Sequence, residues 1–286
     1  MREALELVLD ARCQLAESPV WCAQSNRLLF VDITGRRLFK FDPESQALET
    51  SAIEEDIGCV APEKGGGFVA GLRSGIWILD EQGRKQRLLA GNPEDSKVSR
   101  FNDGRVDPSG RFLAGTVDEA KAGRASLYRC DKFGLVRLAG GLLTSNGLAF
   151  SPDGRTMYHS DTPRFVVNRY DYDPTSGTAT NRRVFVQLNP TAQDRGRPDG
   201  AAVDIEGCYW TALYEGARVQ RYDPTGKLLA EFPVPVQGPT MPAFGGRGLK
   251  TLFVTTARDA TGAGGGVYGT EVDVAGLPTP LFDPTQ

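Results

Sequence analysis

At 286 residues, with 40% hydrophobic and 24% charged side chains, the chain has ordinary soluble globular composition and enough length to bury a core without disulfide or metal staples. A net charge of −3 with no long basic block argues against nucleic acid or an anionic membrane as partner, and no apolar run is long enough to span a bilayer. Five cysteines, an odd number, widely spaced and without CxxC, argue against a disulfide framework or thiolate zinc site and for buried free thiols in a reducing cytoplasm.

The first segment, MREALELVLDARCQ, mixes acids and bases into a short apolar stretch and lacks the features of a signal peptide. Within it, Leu5–Leu9 reads as an extra strand. Short β-type runs then recur: RLLFVDI, GFVAGL, RFLAGTV, TMYHSD, CYWTAL and TLFVTTA. Each is preceded by a Gly, Asn or Asp turn and another short apolar strand, and followed by a strand that often ends in Asp. None of these segments shows sustained amphipathic helix periodicity. Asp32, Asp42, Asp80, Asp131 and Asp223 read as turn and edge residues. Trp21, Trp77 and Trp210 read as packing residues, Trp210 being the one expected to approach a central channel. The polar stretch Gln187–Arg197 is a long connector, and GAGGG at Gly262–Gly266 reads as a flexible outer loop.

Six segments align in register: ESPVWCAQS from Glu17, IGCVAPEKG from Ile57, NDGRVDPSG from Asn102, NGLAFSPDG from Asn146, DGAAVDIEG from Asp199 and TMPAFGGRG from Thr240. Their spacings are 40, 45, 44, 53 and 41 residues. Counting the first residue as position 0, position +4 is always apolar: Trp21, Ala61, Val106, Phe150, Val203 and Phe244. Position +8 is Gly65, Gly110, Gly154, Gly207 and Gly248, with Ser25 in the first copy, as expected of a hairpin that needs φ > 0. Repeats of this length, each a small up-and-down sheet, predict an all-β six-bladed propeller spanning residues 1–286 as a single domain. The ring is expected to close by pairing Leu5–Leu9 into the last blade.

Position 0 should precede each inner strand and ring one mouth of the channel. It holds Glu17, Ile57, Asn102, Asn146, Asp199 and Thr240, with Arg100, Asp103 and Ser145 at the same mouth. Glu17, Asn146 and Asp199 offer hard oxygen donors of the kind that suit Ca²⁺, Mg²⁺ or Mn²⁺. Zn²⁺ is less well served, since the usual His and Cys ligands are missing. The alternative is that these side chains only cap strand ends and solvate the channel. One histidine, His159, no GxSxG and no Walker A motif leave little basis for a serine triad or phosphate loop, so His159 reads as a wall or packing residue.

Four stretches together, LAESPVW (Leu15–Trp21), SRFNDGRVDPSGRFLAGTVDE (Ser99–Glu119), SNGLAFSPDG (Ser145–Gly154) and RPDGAAVDIEG (Arg197–Gly207), resemble the regucalcin and gluconolactonase family over essentially the whole chain. The first motif often begins Leu-Gly-Glu-Gly-Pro in that family, and here Ala16 and Ser18 flank the same Glu. The resemblance implies a six-bladed propeller with one divalent cation (Ca, Mn, Mg, Zn or Fe) held by Glu17, Asn146 and Asp199. It places the substrate contacts on Arg100 and Asn102, and a further acidic contact at Asp118 or Glu119, of which Glu119 is taken. It implies hydrolysis of a small-molecule sugar lactone by a cytoplasmic enzyme, monomeric or weakly oligomeric, with Asp199 both ligand and general base. The competing implication is a calcium-binding regulatory propeller without turnover.

Overall fold

The computed structural model describes residues 4–286. It contains six four-stranded antiparallel sheets arranged as blades, and no α-helix among the described residues. Blades one to five are continuous in sequence: 16–52, 57–91, 99–142, 145–187 and 197–233. In each, the first strand lies innermost and the following three are added outward in order. The sixth blade takes three strands from 239–271 and its outermost strand from Glu6–Leu9, which pairs with Val267–Glu271. Two distant parts of the chain thus complete one sheet, as the isolated Leu5–Leu9 strand predicts.

No single central core exists. Six hydrophobic clusters form instead, one at each junction between neighbouring blades. The junction of blades four and five, for example, stacks Tyr158 on Tyr209 and Phe185, with ring centroids 5.0 and 4.8 Å apart. Each fully buried large apolar side chain contributes roughly 1.5–3 kcal/mol. The stability of each blade therefore depends on its two neighbours.

The repeat register holds with adjustments. All six residues at position +4 are buried. Gly110, Gly154, Gly207 and Gly248 adopt positive φ as expected, but in blade two positive φ falls on Gly66 and Gly67, and in blade one on Asn26. Position 0 lies inside each inner strand, at or beside a β-bulge, rather than before it. Register shifts occur between Glu17 and Val20, Ile57 and Cys59, Phe101 and Gly104, Asn146 and Ala149, Pro198 and Ala201, and Pro239 and Met241. A bulge bends its strand and re-aims the side chains around it. Six bulges at one level of the ring are what turn position-0 side chains toward the mouth.

The far end of the channel is built differently. The C-terminal segment crosses it, tied to blade five by Ile205 N–H to Ala275 O (3.0 Å), to blade two by Phe282 N–H to Pro62 O (2.9 Å) and to blade three by Asp283 N–H to Gly110 O (2.8 Å). Beneath this strap, a cavity of about 260 Å³ is lined by five of the six +4 residues, by Arg105 and by Leu277–Pro280. Trp21 therefore reaches the channel axis. Trp210, the expected candidate, packs between blades five and six against Phe232 and Phe244, its indole N–H on Asp204. GAGGG is not a free loop: Gly265 and Gly266 are buried, and a Cβ on Gly265 would lie 2.2 Å from the Cys13 carbonyl oxygen. All five cysteines are free thiols, four of them buried. Asp42, Asp80, Asp131 and Asp223 make turn contacts as expected, and so does Asp32, which accepts from the Gly35 amide but is fully buried and also holds the Gln14 and Leu15 amides together with Arg37.

Candidate active site

The mouth opposite the strap gathers side chains from four blades. The Asn146 amide is its centre: Nδ2 donates to Asp199 Oδ1 (2.6 Å) and Thr162 Oγ1 (2.8 Å), and Oδ1 accepts from Asn102 Nδ2 (2.7 Å). Asn102 Nδ2 also donates to Ser145 O (3.0 Å), and Arg100 Nη1 donates to Asn102 Oδ1 at 2.6 Å. One chain of hydrogen bonds thus runs Arg100–Asn102–Asn146–Asp199 across blades three, four and five. Glu17 enters from blade one, its carboxylate accepting from the Ser18 amide at 2.9 Å. Ser18 takes positive φ at this bulge, and its Oγ in turn accepts from the Val60 amide of blade two at 3.0 Å.

Glu17, Asp103 and Asp199 are all buried. Burial pushes the Glu17 carboxyl well above its ordinary range, and the neighbouring charges of Asp199 and Asp103 push it further. Asp199 is raised for the same two reasons, burial first and then Asp103, against the opposing pull of Arg197 and the Asn146 amide. Asp103 is raised by burial despite the Leu148 amide on its Oδ2, and its Oδ1 has no partner. Three buried carboxyl groups, two of them raised by neighbouring carboxylates, with one Asp103 oxygen left unpartnered and the Asn146 carboxamide oxygen beside them on Asn102, form a hard-oxygen donor set. The arrangement fits a divalent cation on Glu17, Asn146 and Asp199. Below it, Arg105 plugs the channel by donating to Leu148 O and Ala201 O, at 2.8 and 2.6 Å.

Not every position-0 residue takes part. Ile57 packs in the cluster between blades one and two, and Thr240 donates to Ala16 O at 2.6 Å, tying blade six to blade one. Of the two acidic candidates after the GT strand, Asp118 is consumed within its own loop by Arg124 and the Ala120 and Ala122 amides. Glu119 is exposed and pairs with Arg73 at 2.6 Å, close enough to Arg100 to act on its charge. Two participants carry no signal in the sequence. Thr162 holds Asn146 while donating to Pro198 O at 2.7 Å. His159, fully buried, shares a 2.7 Å hydrogen bond with Ser145 Oγ behind the site. Another acidic group, Asp204, Glu206 and Cys208, gathers on blade five, but Arg221 pairs with both carboxylates and the Trp210 N–H binds Asp204. Both carboxylates of that cluster are already engaged.

Residues 15–258 match the profile of the SMP-30/Gluconolactonase/LRE-like region. The chain belongs to this family. Among relatives, it is 42% identical to a 6-deoxy-6-sulfogluconolactonase from Pseudomonas putida, over 99% of both chains. It is 37% identical to regucalcin from Xenopus laevis, covering 89% of this chain and 87% of that one. Among solved structures, the calcium-binding protein regucalcin from Agrobacterium tumefaciens superposes with a TM-score of 0.91 at 27% identity, covering 98% and 97%. A gluconolactonase from Xanthomonas campestris shares the fold at a TM-score of 0.76 and 23% identity, covering 95% and 89%. Within the SMP-30/gluconolactonase family frame, the four stretches that carry the resemblance supply the Glu17, Arg100, Asn102, Asn146 and Asp199 side chains gathered at the mouth.

Proposed function

We propose that the protein hydrolyses a sugar lactone to the corresponding aldonic acid, with Asp199 as general base. The observation that carries this reading is the convergence of Glu17, Asn146 and Asp199 from three blades beside the Arg100–Asn102 pair. The Pseudomonas putida relative, named a sugar lactonase, supports the substrate class.

A divalent cation on Glu17, Asn146 and Asp199 would supply Lewis acidity toward the lactone carbonyl. Regucalcin relatives support such an ion without fixing which one. The chain's own groups do the rest. The Asp199 carboxylate accepts a proton from the attacking water as its oxygen bonds to the carbonyl carbon. Asn146, donating to Asp199 Oδ1, fixes the plane of that carboxylate. The ring C–O bond then breaks, and the proton passes from Asp199 to the departing ring oxygen, which becomes a hydroxyl. Arg100 and Asn102 hold the sugar hydroxyls in attack geometry, a positioning effect that can lower the barrier substantially. Desolvation holds Asp199 above a surface carboxylate in the metal-free chain. A bound cation would pull it down again, and would compensate by making the attacking water a better proton donor.

The test is a pH-drop assay over a panel of aldonolactones with several divalent ions. Turnover that a chelator abolishes and an added ion restores is the expected result. Cation binding with no turnover of any lactone would overturn the enzymatic reading in favour of a binding propeller.

A further inference from the structure

The cavity of about 260 Å³ under the C-terminal strap has a lining unlike that of the mouth. Its walls carry the rings of Trp21, Phe150 and Phe244 together with Val20, Val106 and Val203. Among the described residues that line it, only Ser151 and Thr279 bear hydroxyls and only Arg105 is charged. Ser151 Oγ is already committed, donating to Asp153 Oδ1 and accepting from the Thr156 amide. A polyhydroxylated sugar would find almost no partners here, so the chamber is not a second copy of the site at the mouth. Its size lies near the lower end of ordinary small-molecule sites, about 300 Å³. The roof is held at both ends. Gly276 N–H donates to Leu249 O and Phe282 N–H to Pro62 O, both at 2.9 Å. Between them, among the described residues, 278–281 make no backbone hydrogen bond. Pro278 and Pro280 have no N–H to offer. Lifting that span breaks no backbone hydrogen bond, which provides an entrance that does not pass the mouth.

Arg105 sets the chemistry of the chamber. Its Nε and Nη2 donate to Leu148 O and Ala201 O at 2.8 and 2.6 Å. Among the described residues its Nη1 has no acceptor, and no carboxylate lies within ion-pair distance of the guanidinium. Asp103, two residues away, acts on its charge, but that carboxylate accepts from the Leu148 amide and forms no ion pair with it. A largely buried cation without a counter-ion is costly, and a ligand anion beside it recovers part of that cost through charge-assisted hydrogen bonds. The two carbonyl oxygens already on the guanidinium disfavour a doubly charged anion. The apolar walls disfavour any further polar group. What complements both is one carboxylate on an apolar body, and the three rings favour an aromatic body.

We propose that this rear cavity is a binding site for an aromatic monocarboxylate, with the carboxylate on Arg105 and the ring among Trp21, Phe150 and Phe244. The site is separate from the mouth and does not depend on whether the protein turns over a lactone. The test is calorimetry with 3-phenylpropionate, its neutral amide 3-phenylpropanamide and gluconate, on the full chain with added Ca²⁺ and after chelation. Saturable one-to-one binding of 3-phenylpropionate is expected in both states and in the presence of excess gluconate. The amide is expected to bind at least about tenfold more weakly. Arg105→Met is expected to weaken the carboxylate by roughly 10–100-fold and to change the amide by less than about threefold. Ala243→Leu adds bulk to the cavity wall and is expected to weaken both ligands. Absence of saturable binding at millimolar concentration, equal affinity for acid and amide, or displacement by gluconate overturns the site. Where Arg105→Met fails to fold, Ala243→Leu decides with the acid–amide comparison in the wild type, and unchanged binding of 3-phenylpropionate by Ala243→Leu overturns the site.

Discussion

Asp199 is held where it is useful at a cost in folding stability. Burial raises the Glu17, Asp103 and Asp199 carboxyl groups, and the Asp199 charge raises Glu17 further, so removing that charge relieves Glu17. Asp199→Asn is therefore expected to lower kcat/KM by about 10²–10⁴-fold, the usual range for loss of a general base. The same substitution should raise the melting temperature of the chelator-treated protein, measured by circular dichroism. Wild-type activity in the variant would refute the mechanism. His159 gives a second test. Burial pushes its pKa down to about 3, and its Nδ1 has no partner. An unfolded histidine titrates near 6.5, so between these values the unfolded chain carries the extra proton. The stability from this residue is complete above that range and is lost as pH falls, on the order of 3 kcal/mol by pH 4. Urea denaturation at pH 7 and pH 4 should show the wild type losing more stability than His159→Gln. Equal losses would mean that His159 is not held neutral.

At the scale of the strand, the bulges decide the site. Gly147 follows Asn146 with φ +59°, and a Cβ there would lie 2.5 Å from both Ser160 Oγ and Tyr209 Oη and 2.9 Å from Asp199 O. Gly147→Ala is expected to cost roughly 2–4 kcal/mol, from strain and overpacking, and to lower activity by displacing Asn146 and Asp199. Gly91→Ala, with open space around it, should change stability by less than about 1 kcal/mol, and parallel chemical denaturation compares the two. The same strands show what can be read from sequence. A six-fold alternation of apolar +4 residues and hairpin glycines survives in the letters because every blade has the same packing requirement. The ligand trio is legible because register carries Glu17, Asn146 and Asp199 to one level. Ile57 shares that register yet turns into the blade junction, since the direction of a side chain at a bulge depends on neighbouring-strand contacts. The Ser145–His159 pair and Thr162 are invisible for a similar reason: each contact joins different strands or turns and has no motif.

For the whole molecule, ring closure by Glu6–Leu9 protects the outer edge of blade six. Deleting residues 1–9 leaves Val267–Glu271 as an open edge. The expected result is a lower melting temperature and concentration-dependent association, read by calorimetry and size-exclusion chromatography. Unchanged stability would show that the strand is ornamental to the ring. The C-terminal strap has another consequence. Together with Arg105 it shuts the rear of the channel, so a substrate that enters from the mouth has no exit behind it. Reactant and product must use one doorway in turn. Hydrolysis of a neutral ester makes a carboxylate beside Arg100 and Arg197, cationic residues of that doorway. The aldonate thus departs past charges that attract it, and competitive product inhibition should emerge in progress curves and weaken as salt is added. A barrel open at both ends could flush its product; this one has to wait for it to turn round.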